Sequence, residues 1–323
     1  MLFAKQIGRT YRRKLFPRCD STGTVFYFSA ADFPGLIQEP YVFSSRQGKR
    51  LQGYFYHYDA PEPDRVVVFD HGMGAGHRAY MKEIELLARH GYTVFAYDHT
   101  GCMESEGDST VGFTQSLSDL DDCLKALKGD PVYGKRRFSV IGHSWGAYAC
   151  LNIAALHPDV MHVVALSGFL SVDQVLRQNC TGWKRCLVKT LRGVEIQAHP
   201  ELVPMNAAES LQKTGARVLV IHSEDDPIVK AGDHFAPLRK ALEGRENVAF
   251  LEVTGKGHNP NYTEDAVRYK DEFFALLKKK GKSGELKSEE QKREFVRSVD
   301  WNRMTAQDMT VWERIFATLD DKR

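Results

Sequence analysis

A serine hydroxyl attacks a carbonyl only when a neighbouring base takes its proton, and that base needs a carboxylate to set its tautomer. The chain offers a candidate for each part. Ser144 lies in Gly142-His143-Ser144-Trp145-Gly146, directly after the apolar run 138–141 and before a helical run that Pro158 stops. Glycines two residues to either side let a strand and a helix pack closely around a sharply turned nucleophile. His258 sits in the glycine-flanked loop 254–260, just past the apolar run 248–253. Between these two, the β-branched run 217–222 ends in Ser223-Glu224-Asp225-Asp226-Pro227, which supplies Asp225 and Asp226 as competing acids. A tetrahedral intermediate also needs backbone N–H donors for its oxyanion. Trp145, the residue after the nucleophile, is one expected donor. Met73, in the glycine-rich loop 71–76 after the run 65–70, is the other.

With these residues in view, the chain resembles the α/β-hydrolase superfamily, nearest to bacterial esterases, monoglyceride-lipase-like and serine-aminopeptidase-like proteins. The matches are His71-Gly72-Met73-Gly74, the elbow around Ser144, Ser223 to Val229 as the acid motif, and Gly255-Lys256-Gly257-His258. They cover about residues 41–280. The chain order Ser, Asp, His is that of this superfamily. The resemblance implies Ser144 as nucleophile, His258 as base and, by its offset from Ser223, Asp226 as acid, which leaves Asp225 a solvated loop residue. Ser223 replaces a usual glycine. Thr100 and Met103 replace an arginine and a glycine in the loop 98–105, so that wall of the site departs from the pattern. A serine hydrolase acting on a small or medium carboxylic ester is implied, and amidase, thioesterase or acyltransferase chemistry uses the same three residues. A binding protein on this scaffold is the reading from another class, and such proteins usually lack one of the three.

The elements that must position these residues alternate. Residues 41–44 and 51–58 read as an opening antiparallel hairpin. Runs 66–69, 93–97, 138–141, 163–166, 218–221 and 249–253 read as buried parallel strands. Helical patterns at 80–90, 112–128, 147–157, 234–243 and 264–279 fall between and after them. The alternation predicts an α/β fold with a mostly parallel, doubly wound sheet, whose ligands bind beyond the strand C-termini. Every motif above falls there. The expected organisation is an N-terminal segment 1–39 packing on the core, a hydrolase domain 40–280, and a C-terminal helical extension 281–323.

Two additions bear on substrate choice. Residues 171–215 read as a small helical lid, broken near Thr181-Gly182, with Arg177, Lys184, Arg185, Lys189 and Arg192 as a solvated face or a cationic rim selecting acidic substrates. Glu195 and Glu201 in it are too little for a grip on a peptide amino terminus. In the extension, 278–284 reads as a linker and 288–299 as a charged helix. Thr305-Ala306-Gln307-Asp308 reads as a capping box before the stripe Val311, Trp312, Ile315, Phe316 and Leu319. That stripe should dock on the core, with a homodimer contact as the alternative.

Composition narrows the partners. The formal net charge is +2, which gives no reason to expect nucleic acid. No apolar run is long enough for a signal segment or a transmembrane span, so a cytoplasmic protein is expected. Residues 1–18 are basic with scattered apolar positions, as in a helix lying on the fold or on a membrane surface. The six cysteines form no Cys-x-x-Cys pair and the twelve histidines do not cluster at ligand spacing. No metal and no cofactor are expected.

Overall fold

The computed structural model describes residues 2–74 and 76–321; Met1, Ala75, Lys322 and Arg323, which fall in the predicted N-terminal segment, donor loop and extension, lie outside them, as do the side chains of residues 2–4. Strands β1 (Ile37–Ser44) and β2 (Arg50–His57) form the antiparallel hairpin around Gly48. β3 (Arg65–Asp70), β4 (Thr93–Tyr97), β5 (Arg137–His143), β6 (His162–Leu166), β7 (Arg217–Ser223) and β8 (Val248–Val253) are the parallel strands. Among the described residues the sheet has eight strands in the order β1-β2-β4-β3-β5-β6-β7-β8. β3 carries no polar side chain between Val66 and Phe69, and all four are shut from water because both sheet faces are covered.

The strand period of two splits the core. Val66, Val68, Val140, Val163 and Val220 point to one face, where α3 (Gln115–Gly129) and α4 (Trp145–Ile153) lie. Val67, Phe69, Ile141, Val164 and Ile221 point to the other, beneath α2 (Met81–Arg89). Crossover helices on both faces are what a parallel sheet requires.

The lid segment becomes α5 (Val172–Asn179), a 3-10 turn (Gly182–Leu187), α6 (Val188–Ile196) and α7 (Ala207–Gln212). Val172, Val175, Leu176, Leu191 and Val194 are buried together with Tyr11 of α1 (Leu2–Leu15) and Phe16 just after it. The segment therefore folds down against α1 and the α3/α4 face. Glu195 ties the three together: its carboxylate accepts the Tyr11 hydroxyl at 2.6 Å and the Phe113 N–H at 2.9 Å.

After α8 (Phe235–Ala241) and β8 the chain departs from the expected layout. The helix predicted at 264–279 continues as α9 (Glu264–Ser283) through the lysine run expected to be a linker. Lysine is a good helix former, and the stop comes at Gly284, in the left-handed conformation at φ 79°. α9 does not take the last seat on the sheet. It packs through Phe273 against Phe295 of α10 (Glu289–Arg297) and Trp301 of α11 (Trp301–Met304), forming a separate small core. The sheet seat goes to α12 (Met309–Leu319), whose Val311, Trp312, Ile315 and Leu319 are buried against Ile141, Val164 and Ile221. The stripe is thus covered by the chain's own sheet. Buried Arg65 donates to the Leu319 carbonyl, holding the helix end. Asp308, not Thr305, caps α12, accepting the Thr310 N–H at 2.9 Å; Thr305 closes α11. An Asp one residue before a helix competes well with a Thr four residues before it.

Candidate active site

β5 delivers Ser144 at its C-terminal end, where φ is +55° and ψ −108°, a strained backbone for a residue with a side chain. The Ser144 N–H to Leu166 carbonyl bond, at 2.8 Å, holds the turn to β6. A Cβ at Gly146 would strike the carbonyl of Asp70, so only glycine lets α4 leave this close to β3. Beneath the turn lies an ionic cluster of Asp70, His99 and Asp119, all without solvent exposure. Burial disfavours a charged His99, but the two carboxylates outweigh it and raise its pKa to about 10.

His258 reaches Ser144 from the loop after β8. Its Nε2 accepts from the Ser144 Oγ–H at 2.8 Å, and its Nδ1–H donates to Asp226 Oδ2 at 2.8 Å. Asp226 projects from the end of β7 and is buried. Its Oδ1 accepts the N–H groups of Ile228 at 2.8 Å and Val229 at 2.9 Å, which leaves Oδ2 for the imidazole. Burial raises its pKa, but the bonds to His258 and to these amides outweigh that and hold it below the usual carboxylate range. Of the competing acids, Asp226 is the one that meets His258. Asp225 is exposed but not idle: it accepts the Ser223 hydroxyl and, at 3.2 Å, the Gly257 N–H, bracing the loop that carries His258.

The donor loop 71–74 leads into a path that sequence reasoning missed. The Gly72 N–H donates to the Tyr80 hydroxyl at 3.1 Å, and that hydroxyl donates to His143 Nδ1 at 2.9 Å. His143 Nε2–H donates onward to the His258 carbonyl at 2.7 Å. The carbonyl can only accept, so the tautomer and the direction of the whole path are set. Burial and the neighbouring His258 lower the His143 pKa to about 3, keeping it neutral. Tyr80 carries no motif; its proximity arises only from the fold. Among the described residues no hydrogen bond takes up the amide N–H of Met73 or of Trp145.

Ser144 and His258 open into a cavity of about 500 Å³. Its far wall is Val25, Phe26, Phe28, Phe274, Leu277 and Trp301, from the stretch before β1 and from α9 and α11. Arg78 donates to the carbonyls of Tyr27 (3.2 Å) and Phe28 (3.4 Å), fastening the first stretch to the donor loop side. Lys270 Nζ donates to Asn259 Oδ1 at 2.8 Å, holding the residue after His258. No residue of 171–215 lines this cavity, which corrects the expected role of that segment: neither its cations nor Glu195 and Glu201 face the substrate space. Glu201 instead approaches Arg46 at 3.4 Å.

The extension also steadies the His258 loop. Tyr262 pairs with Gln307 in an antiparallel bridge, and the Thr263 N–H to Ala306 carbonyl and Asp308 N–H to Asn261 carbonyl bonds flank it. Lys256 Nζ adds bonds to the Tyr262 carbonyl and the Asp308 carboxylate, both 2.7 Å. All six cysteines are free. Among the described residues no cluster of His, Cys, Asp or Glu could hold a metal, and no helix is long and apolar enough to cross a membrane.

Comparison with known proteins agrees with this architecture. Residues 61–206 match the family model described as serine aminopeptidase, S33. Among curated proteins, protein ABHD8 of Bos taurus is 29% identical over 105 residues, 32% of this chain and 24% of that protein. Epoxide hydrolase B of Mycobacterium tuberculosis is 35% identical over 109 residues, 31% of this chain and 28% of that protein. The chain thus spans about a quarter of the first curated relatives it matches. The Pyrococcus furiosus esterase Pf2001 superposes with a TM-score of 0.58 at 20% identity, covering 83% of this chain and 97% of that one. The chain has the α/β-hydrolase fold.

Proposed function

We propose that this hydrolase works through Ser144, His258 and Asp226 on small or medium carboxylic esters with an apolar body. The observation that carries the reading is the unbroken hydrogen-bonded path from Ser144 through His258 to Asp226 at the floor of the cavity. Ser144 Oγ attacks the ester carbonyl while His258 Nε2 takes its proton, and Asp226 stabilises the imidazolium. The free N–H groups of Met73 and Trp145 receive the oxyanion. His258 then protonates the leaving alcohol, and water activated by the same imidazole releases the acid. None of these steps calls for a cofactor.

The cavity favours an ester over a peptide. An aminopeptidase needs a carboxylate for the substrate's free amine. Among the described lining residues the acid is Asp20, which is already paired with Arg18 at 3.0 Å. The aromatic and aliphatic wall suits an apolar acyl or alcohol group instead.

Intact-mass labelling with a fluorophosphonate tests the reading. One adduct on the wild-type protein and none on Ser144→Ala is expected; a folded wild type that takes no adduct refutes it. In the same assay series, Asp226→Asn should lower ester turnover about 10⁴-fold through the wrong imidazole tautomer. Asp225→Asn should fall far less.

A further inference from the structure

The formal charge of the chain almost cancels, but it is distributed unevenly. Between Lys5 and Arg18 the sequence has six Lys and Arg and no acid; between Gln174 and Val194 it has five, and again no acid. The rest of the chain is acidic in balance. Distant in sequence, these two stretches meet in space. α1 lies along α6, with Gly8 against Val194 and Arg12 donating to the Val194 carbonyl at 3.0 Å. Lys5, Arg9, Arg12 and Lys189 line one shallow groove between the helices. Arg9 and Arg12 continue into a second depression with Arg13 and Arg18, where Asp108 is the acid present. Among the described residues Lys5, Arg9, Arg13, Lys184, Arg185 and Lys189 take part in no ion pair.

Apolar groups stand exposed on α1 and on the turn that leads into α6. Trp183, on the 3-10 turn leading straight into α6, is 75% exposed, and Leu15 at the end of α1 is 48% exposed. Neither side chain joins the core that Leu191, Val194 and Tyr11 form beneath these elements. A tryptophan amid lysines and arginines fits the boundary of a bilayer, where the indole sits at headgroup level and the cations meet anionic lipid.

We propose that the face formed by α1, the 3-10 turn at 182–187 and α6 docks on an anionic lipid bilayer, with Trp183 and Leu15 entering the interface. The proposal does not depend on the hydrolase reading, because none of these residues lines the cavity that holds Ser144.

Co-sedimentation of the full chain with phosphatidylcholine vesicles, with and without phosphatidylserine, tests it. Binding is expected to the phosphatidylserine vesicles alone, to fall as salt screens the charges, and to shift Trp fluorescence to shorter wavelength. Lys184→Glu, Arg185→Glu and Lys189→Glu together should weaken it at least about tenfold. Trp183→Ser should weaken it severalfold and remove the fluorescence shift. These exposed positions should leave the thermal midpoint in place, so a loss is read on folded protein. Equal binding by the charge-reversed variant overturns the proposal. So does duplex DNA held as tightly as the vesicles with no effect of Trp183→Ser, which would mark a general polyanion surface.

Discussion

Residues 171–215 and the helices α9–α11 that help wall the cavity are made of similar material: amphipathic helices carrying many charges. They come to rest in opposite roles. The first segment finds a ready apolar seat in Tyr11, Phe16 and the α3/α4 face, and Glu195 locks it there. The second group finds its seat in itself and in the stretch before β1. Phe26 meets Trp301, and Phe28 packs on the small core that Trp301 shares with Phe273 and Phe295. What lies over the nucleophile is decided by which apolar stripe is still uncovered once the core is complete, and position in the chain between two strands does not decide it.

Substitutions on either side can separate these roles. The largest effect on stability is expected from Leu191→Ala in α6, about 2–5 kcal/mol by denaturant unfolding. Its ratio of hexanoate to acetate ester turnover should stay as in the wild type. A changed ratio would mean that the segment does reach the substrate.

Next comes Glu195. Burial, only partly offset by the Tyr11 and Phe113 bonds, pushes its pKa up to about 7 from an ordinary 4.5. An acid with a raised folded pKa gives stability that is whole below the unfolded value and is lost as pH rises through the folded one. Up to about 3 kcal/mol should therefore go between roughly pH 4.5 and 7.5. Glu195→Gln keeps partners for Tyr11 and Phe113 and should flatten this part of the thermal-midpoint curve. An unchanged pH slope would show that another group is responsible.

The smallest energy is expected at the wall. Phe274 lines the cavity and is nearly half exposed, so Phe274→Ala should leave stability almost unchanged. Loss of its apolar contact should lower kcat/KM for a hexanoate ester about tenfold, roughly 1.4 kcal/mol, and for an acetate ester hardly at all. Equal losses on both esters would assign the ring to holding the fold.

The legible part of this molecule is local. The turn at Ser144, the acid loop at Asp226 and the glycine-flanked loop at His258 each announce themselves within a few residues, and the alternation of buried runs predicts the sheet. The structure joins these three side chains in one hydrogen-bonded path through His258. The cavity wall was not legible, because it rests on contacts between residues such as Phe26 and Trp301, which no periodicity connects. The relay through Tyr80 and His143 was hidden for the same reason. Helix ends are hard to read where two local signals compete, as with Asp308 against Thr305, or where a lysine run with a glycine reads as a linker although the helix passes Gly281 and stops only at Gly284.

The pairing of Tyr262 with Gln307 has a kinetic counterpart. The amides of Thr263 and Asp308 are hydrogen-bonded across that bridge, one from each side. Neither can exchange with solvent deuterium unless the His258 loop and the stretch between α11 and α12 come apart together. The two amides should therefore share one opening free energy and form a single cooperative unit. A molecule bound in the cavity, touching both sides, would slow the exchange of both by the same factor.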